Sequence, residues 1–149
     1  MQEPLLVGWR EWVALPQLGL AAIKAKIDTG ARSSSLHVAA LESFQRDGRT
    51  WLRFAVAPRR RRTRTIMCEA PALDRRPVTD SGGHTAERWF IRSTIMLGSS
   101  RFEAEINLSN RADMLFPMLL GRTALRGRFR VDPDRAWVCG RRAASKAAA

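Results

Sequence analysis

The chain has 149 residues, 45% of them hydrophobic, with 26 basic against 14 acidic side chains and a net charge of +12. No apolar segment is long enough for a signal peptide or a membrane span, which favours a cytoplasmic protein. Cys68 and Cys139 lack the spacing of a zinc finger, so we expect two buried, reduced thiols rather than a disulfide. The length predicts a single domain over residues 1–140, followed by a disordered basic, alanine-rich tail at 141–149.

The first predicted strands cover residues 5–9, where Leu5, Val7 and Trp9 fall on one face, and residues 23–27, where apolar and basic side chains alternate. In the second strand the apolar residues share one face, while Lys24 and Lys26 take the other. This strand runs directly into Asp28-Thr29-Gly30, which places a carboxylate at the strand tip beside a hydroxyl and a glycine that permits a tight turn. Aspartic peptidases present their catalytic residue in this way, although an ordinary turn is the simpler interpretation of the tripeptide alone.

Further alternating strands are predicted over residues 52–56, 89–97 and 102–108. A glycine-serine turn that begins at Gly98 separates the last two strands and predicts a hairpin. In the last strand, Asn107 falls on the polar face with the charged residues, away from the apolar side chains.

Residues 76–88 lie between the Asp28-Thr29-Gly30 motif and an apolar segment at 118–121. They carry the glycine pair Gly82-Gly83. They fit a mobile flap that covers a cleft, and they also fit a plain surface loop.

The last predicted elements begin with residues 118–121, an apolar run that ends in glycine and leads into a short helix over 122–126. Residues 132–135 are expected to form a hairpin turn between strand segments at 129–131 and 137–139. Many short strands separated by turns predict a mostly β fold, a small closed β-barrel of mainly antiparallel strands with this one short helix.

The strongly basic composition favours a negatively charged partner, either nucleic acid or an acidic peptide. Arginines are spread along the chain, so a single recognition helix is not indicated. The arginine-rich run from Arg59 to Arg64 fits a solvated loop and a substrate-facing segment equally well.

Segments at residues 11–19, 23–31, 34–37, 110–111 and 113–122 form a set that extends over almost the whole chain. Together they resemble the RimB-type family of retropepsin-like peptidases, whose members often carry the label ATP-dependent zinc protease. Ala112 departs from the family pattern, in which an acidic residue is usual at this position.

The resemblance implies a retropepsin-like acid-protease barrel with a catalytic loop made by Asp28, Thr29 and Gly30. One loop supplies only one of the two carboxylates that hydrolysis needs, so we expect a homodimer in which two copies of Asp28 share a proton. The residues implied to support this loop from behind are Leu119, Leu120 and Gly121. The residues implied to bind substrate are Ala31, Arg32, Ser34, Arg76, Ser81, Gly82, Arg88 and Arg122.

The resemblance also implies a substrate. RimB-type peptidases are linked with RimK-type ligases, which add glutamates to a ribosomal protein, and the implied reaction removes such acidic tails. Arginines in the cleft, Arg92 among them, would bind the glutamate carboxylates through charge-assisted hydrogen bonds.

Two other functions stay open. A catalytically idle basic module that binds RNA or the ribosome would account for the charge, although no aromatic RNA-stacking motif is recognisable. A metal-dependent peptidase would match the family label, but the chain has neither a His-Glu-x-x-His motif nor a Gly-x-x-x-x-Gly-Lys-Ser/Thr motif. We therefore predict no metal and no cofactor.

Overall fold

The computed structural model describes residues 3–58, 64–80, 82–110 and 115–140. Predicted features that lie outside the described residues are the arginines at 59–62, Ser81, the family segment at 111–114 and the tail at 141–149.

Within the described residues the chain forms short strands, a 3₁₀ turn at Pro16–Leu18 and one short α-helix. The strands are β1 (Leu5–Val7), β2 (Arg10–Leu15), β3 (Leu20–Ile27), β4 (Ser34–His37), β5 (Ala39–Arg46), β6 (Arg49–Val56), β7 (Ile66–Pro71), β8 (Asp74–Thr79), β9 (Thr85–Leu97), β10 (Ser100–Ser109), β11 (Met118–Leu120) and β12 (Phe129–Val131). The helix, α1, covers Arg122–Leu125 and confirms the prediction of a single short helix at this place. In this part of the chain no helix is long or apolar enough to cross a membrane.

The largest sheet has seven strands in the order β10, β4, β11, β3, β2, β9 and β8. β10 also pairs with β9, and β2 meets β9 where Ala14 lies opposite Met96, so that six of these strands close into a ring. β8 pairs with the first half of β9, outside the ring. The other described strands form a parallel pair, β1 with β12, and an antiparallel sheet of β5, β6 and β7. The mostly β fold with a closed sheet is therefore confirmed.

The core is built from apolar side chains of the ring strands together with apolar side chains of the two smaller sheets, such as Phe54 of β6 and Phe129 of β12. β9 and β10 follow one another through the predicted hairpin turn, in which Gly98 has φ +58° and Leu97 lies opposite Ser100. Burying one large apolar side chain stabilises the fold by about 1.5–3 kcal/mol. The largest fully buried side chains are Phe54, Leu15, Leu20, Ile23, Leu36, Leu52, Ile91, Ile95, Leu97, Ile106, Met118 and Leu120.

The prediction of a hairpin around residues 132–135 is wrong. β12 pairs in parallel with β1, and residues 137–139 form no strand. This last segment crosses back over β2, where Trp137 N–H donates to Arg10 O at 3.0 Å and the Trp137 indole stacks on Trp12 with ring centroids 5.3 Å apart. The alternation in the sequence reflects side chains that pack on β1 and β2, and such packing produces the same pattern as a paired hairpin.

Both cysteines are free, as predicted. The Cys68 thiol on β7 is buried and donates weakly to Leu18 O at 3.4 Å. Burial raises the pKa of Cys68 to about 11, and burial together with the nearby carboxylate of Glu11 raises the pKa of Cys139 to about 11. Both thiols are therefore protonated near neutral pH.

The carboxylate of Glu11 ties the C-terminal segment to β2. It is fully buried and accepts three backbone N–H groups, from Gly8 at 2.7 Å, Val138 at 2.9 Å and Cys139 at 3.1 Å. Each of these donors would otherwise lack a partner in a region with little access to water.

Replacing Glu11 by glutamine is expected to lower the free energy of unfolding by about 2 kcal/mol, because the new NH₂ group would point at backbone N–H donors. Urea denaturation at neutral pH measures the change. Glu87→Gln on the exposed part of β9 is the matched control and should change stability by less than about 0.5 kcal/mol. Equal stabilities of the two variants would contradict the anchoring role.

Candidate active site

Asp28 lies directly after the last residue of β3, at the edge of a cleft. Its N–H donates to Leu120 O on β11 at 2.9 Å, and its Oδ1 accepts the N–H of Gly30 at 3.0 Å. Ala31 N–H then donates to Asp28 O at 3.3 Å and closes the turn. Asp28 is half-buried, whereas Thr29 and Gly30 are exposed, so the loop tip is open to another molecular surface.

The segment behind this loop is β11, which fits between β3 and β4. It runs parallel to β3 and antiparallel to β4, with Leu120 opposite Ile27. Leu120 is fully buried, while Leu119 is half-buried and lines the cleft. β11 therefore anchors the base of the loop in the core.

Gly121 follows β11 and touches the backbone of the loop. A Cβ atom at this position would lie 2.5 Å from both the carbonyl carbon and the oxygen of Ser33, and 3.0 Å from Ala31 O. Only glycine allows two backbones to approach so closely. The N–H of Gly121 also donates to the Ser34 hydroxyl at 3.0 Å, which joins the end of β11 to the start of β4.

The start of α1 binds the other side of the loop. Arg122 N–H donates to Ala31 O at 2.7 Å, and Thr123 donates to Arg32 O through its N–H at 3.1 Å and its hydroxyl at 3.0 Å. The guanidinium of Arg122 reaches the carbonyl oxygens of residues 29 and 30 at 3.2 and 3.3 Å. Four consecutive carbonyl groups of the loop thus accept donors from two residues of α1.

A cleft of about 1050 Å³ opens beside Asp28, between the loop, β10 and the hairpin of β8 and β9. This volume is slightly above the usual range for small-molecule sites, roughly 300–1,000 Å³. Among the described residues, six arginines line the cleft: Arg32, Arg76, Arg88, Arg92, Arg122 and Arg128.

Most residues predicted to bind substrate line this cleft, namely Ala31, Arg32, Arg76, Arg88 and Arg122. Ser34 is instead fully buried, and its hydroxyl accepts the N–H of Gly121 behind the loop. Gly82 is exposed in the turn between β8 and β9. Ser81 lies outside the described residues.

Within the described residues, the cleft arginines Arg76 and Arg92 contact carboxylates of the protein. Arg76 lies 2.9 Å from Asp74 and 2.9 Å from Glu105, and these hydrogen bonds, first that of Asp74, raise the pKa of Arg76. Arg92 lies 3.6 Å from Glu103 across β9 and β10. Because these pairs are substantially exposed, they orient the side chains more than they stabilise the fold.

The segment predicted as a flap or a surface loop belongs to the hairpin of β8 and β9. β8 and β9 pair from Asp74 with Phe90 to Thr79 with Thr85. Asp80 closes the turn by accepting N–H groups from Gly82 and His84, each at 2.9 Å. Asp80 also lines the cleft, so the hairpin forms one of its walls.

Asn107 is a cleft residue that the sequence reasoning missed. Period-two alternation placed it on an exposed polar face, but the structure buries it to 2% exposure on the cleft wall. The C-terminal end of β10 pairs with β4, which follows the Asp28 loop, and Asn107 donates to Ser34 O at the start of β4. The sequence did offer one signal of this burial, because Asn107 is a neutral amide on a face whose other members are charged. A hydrogen-bonded amide costs less free energy to bury than an unpaired charge.

A metal site is not apparent in the described part of the chain, where no three His, Cys, Asp or Glu side chains come together. His84 lies in the turn of the hairpin, with Nδ1 3.6 Å from Asp80 Oδ1, and His37 ends β4.

A closed sheet with one Asp-Thr-Gly loop, backed by an apolar-Gly segment and a short helix, defines a retropepsin-like fold. The model of the RimB-like family, described as retropepsin-like aspartic endopeptidase RimB, matches residues 6–142. The chain therefore belongs to the RimB-like family.

A solved structure with the same fold is the protein Lpg0085 of Legionella pneumophila, whose function is unknown. It is 28% identical with a TM-score of 0.76, and the match covers 92% of this chain and 99% of that one.

Curated relatives carry the name "Probable alpha-L-glutamate ligase". The protein of Desulfotalea psychrophila is 42% identical over 86% of this chain, and that of Parasynechococcus marenigrum is 44% identical over 90%. The matched segments are only 28% and 29% of those proteins, so the chain spans less than a third of the length of these relatives.

Proposed function

We propose that the protein is an aspartic endopeptidase that acts as a homodimer and hydrolyses glutamate-rich peptides in the cytoplasm. One observation carries the proposal. Oδ1 of Asp28 accepts the N–H of Gly30, whereas among the described residues Oδ2 has no hydrogen-bond partner and adjoins the arginine-lined cleft. A carboxylate oxygen in this position can accept a proton from a water molecule.

Hydrolysis by paired carboxylates needs one ionised group that activates water and one protonated group that polarises the scissile carbonyl. The exposed loop tip at Thr29 and Gly30 can meet the same tip of a second copy about a twofold axis. Two copies of Asp28 brought together in this way share one proton and titrate as a unit. The contacts of Arg122 and Gly121 keep each loop in a fixed shape before the subunits meet.

The substrate follows from the charge of the cleft. Guanidinium groups form strong, short hydrogen bonds with carboxylates, and six arginines of the described ranges line the cleft. The relatives named as α-L-glutamate ligases support glutamate as the residue recognised, because a chain built by such a ligase is a chain of carboxylates. In this proposal the hairpin of β8 and β9 closes over the bound peptide as a flap.

The test uses two peptides of equal length, one ending in several glutamates and the other with glutamines at the same positions. We expect the protein to shorten the glutamate peptide faster, as measured by mass spectrometry of the products. Sedimentation should give twice the chain mass under the conditions of cleavage. A monomer that cleaves at full rate would overturn the paired mechanism, and no cleavage of either peptide would overturn the peptidase assignment.

A basic binding module is the second candidate, favoured by the net charge of +12. It predicts micromolar or tighter binding of single-stranded RNA that weakens steeply as salt rises, together with no peptidase activity. Fluorescence anisotropy of a labelled RNA at two salt concentrations separates the two candidates.

A further inference from the structure

Three basic side chains lie together on the outer face of β2 and β3. In the antiparallel pairing of these strands, Arg10 lies opposite Lys26 and Trp12 lies opposite Lys24, so the four side chains share one face. The apolar residues that alternate with the lysines take the other face and enter the core. Side chains two positions apart on a strand are about 7 Å apart, and neighbouring strands are about 5 Å apart. Arg10, Lys24 and Lys26 therefore form one positive region, called the β2–β3 cation surface.

The charges of this surface meet no carboxylate in the part of the chain that the structure describes. The guanidinium of Arg10 lies 4.5 Å from the ring centroid of Trp9 and 4.9 Å from that of Trp137. Lys24 Nζ lies 5.5 Å from the ring centroid of Trp12 and 5.9 Å from that of Trp137. An aromatic ring attracts a cation through its quadrupole but carries no net charge. The indoles therefore hold these cations without neutralising them.

Arg10 also has a hydrogen-bond donor without an acceptor. Its Nε is buried and has no hydrogen-bond partner among the described residues. The side chain is half-buried between two indoles, which fixes the position of the guanidinium. A guanidinium that is held in place and lacks an acceptor favours an oxyanion as its ligand, because carboxylates match its fork of N–H groups.

The β2–β3 cation surface continues the floor of the cleft. The register of β10, β4, β11, β3 and β2 places Asn107, Ser35, Leu119, Lys26 and Arg10 side by side in one row. The first three of these residues line the cleft, so the two cations extend the same face beyond its edge. Two strand spacings separate Leu119 from Arg10, a distance of roughly 10 Å that about three residues of extended peptide can span.

We propose that the β2–β3 cation surface is an exosite for the carboxylates of a glutamate chain whose other residues lie in the cleft. The proposal rests on the proposed function for the identity of the ligand. A chain with a carboxylate on every residue can reach the cleft arginines and this surface at the same time. Once one part is bound, the other binds at a high effective concentration. A long glutamate tail therefore binds more tightly than a short one that fills the cleft alone.

Single-stranded nucleic acid is the other polyanion that basic and aromatic side chains bind, and it needs open ring faces on which bases stack. Here the indoles of Trp12 and Trp137 stack on each other, with centroids 5.3 Å apart. The cations Arg10 and Lys24 lie over the same group of rings. Rings engaged in this way favour a ligand that supplies carboxylates and no bases.

The test measures binding separately from cleavage, in the Asp28→Asn background. Fluorescence anisotropy gives the Kd of a peptide that ends in about three glutamates and of one that ends in about ten, which is long enough to leave the cleft. Lys26→Glu puts a negative charge at an exposed position of the surface, so we expect the ratio of the short-tail Kd to the long-tail Kd to fall about tenfold. Arg49→Glu makes the same change in net charge on β6, outside the cleft, and should leave this ratio unchanged.

A second variant, Arg10→Gln, removes the guanidinium between the indoles and should lower the same ratio, with the thermal unfolding midpoint as the check on its fold. The exosite is overturned if the long tail binds no more tightly than the short one, or if Lys26→Glu and Arg49→Glu change the ratio equally. It is also overturned if Lys26→Glu abolishes binding of a labelled single-stranded oligonucleotide and leaves the ratio unchanged, because the surface then binds nucleic acid. If the protein with Asp28 intact binds both peptides and cleaves neither, the peptidase assignment fails, and the ratio still decides the exosite.

Discussion

An Asp28→Asn variant is expected to lose about 10³-fold or more in kcat on a glutamate-tailed peptide and to keep its fold. Asparagine has the shape of aspartate and still accepts the N–H of Gly30, but it can neither take a proton from water nor donate one to the substrate. One acid–base group contributes about 10²–10⁴-fold, and in the proposed symmetric dimer a single substitution removes both groups. Initial rates by mass spectrometry and the thermal unfolding midpoint measure the two effects.

Mixing the two proteins tests whether the carboxylates come from different subunits. After subunit exchange, a ninefold excess of Asp28→Asn leaves about one tenth of the wild-type chains in wild-type dimers. The activity per wild-type chain should therefore fall to about one tenth of its value in the unmixed protein. Unchanged activity in the mixture would show that each chain works alone, and would rule out a dyad shared across a twofold axis.

The second large effect is expected for Gly121→Ala, which should lower the free energy of unfolding by about 3 kcal/mol. The added methyl group would lie 2.5 Å from the backbone of Ser33, so either β11 or the loop must move. A shift of about 1 Å at the loop would lower the rate by about 100-fold. Urea denaturation and peptide cleavage by the purified variant give both values.

Gly127→Ala is the matched control for this substitution. Gly127 has φ +76°, which disfavours alanine, but no described atom beyond the residue itself and its two chain neighbours lies within 4 Å of the position that its Cβ would take. We expect it to cost about 1 kcal/mol through backbone strain alone and to retain activity. If Gly121→Ala were as stable and as active as this control, the close contact behind the loop would have no functional importance.

The local pattern around Asp28 was sufficient to predict the strand that carries the carboxylate. Alternation over residues 23–27 depends only on which side chains enter the core, and the structure places Ile23 and Ile27 there. The hairpin at Gly98 and the short helix after Gly121 could also be predicted from the sequence, because glycine marks the points at which the backbone changes direction.

Features that depend on contacts between distant segments could not be predicted in this way. The parallel pairing of β12 with β1 and the attachment of Val138 to Glu11 join the two ends of the described chain. No local periodicity specifies such partners, and the same alternation fits a hairpin. Asn107 was misassigned for a related reason, since its burial comes from Ser34 and Ser35, residues more than 70 positions away in the sequence.

The insertion of β11 between β3 and β4 has a consequence for biosynthesis. The donors that hold residues 29–32 come from Arg122 and Thr123, more than 90 positions later. A nascent chain that has not yet emerged from the ribosome up to Thr123 has its Asp28 carboxylate on an unsupported turn. High contact order of this kind makes assembly late and cooperative, so the loop around Asp28 takes its final shape only after residues 122 and 123 have been synthesised.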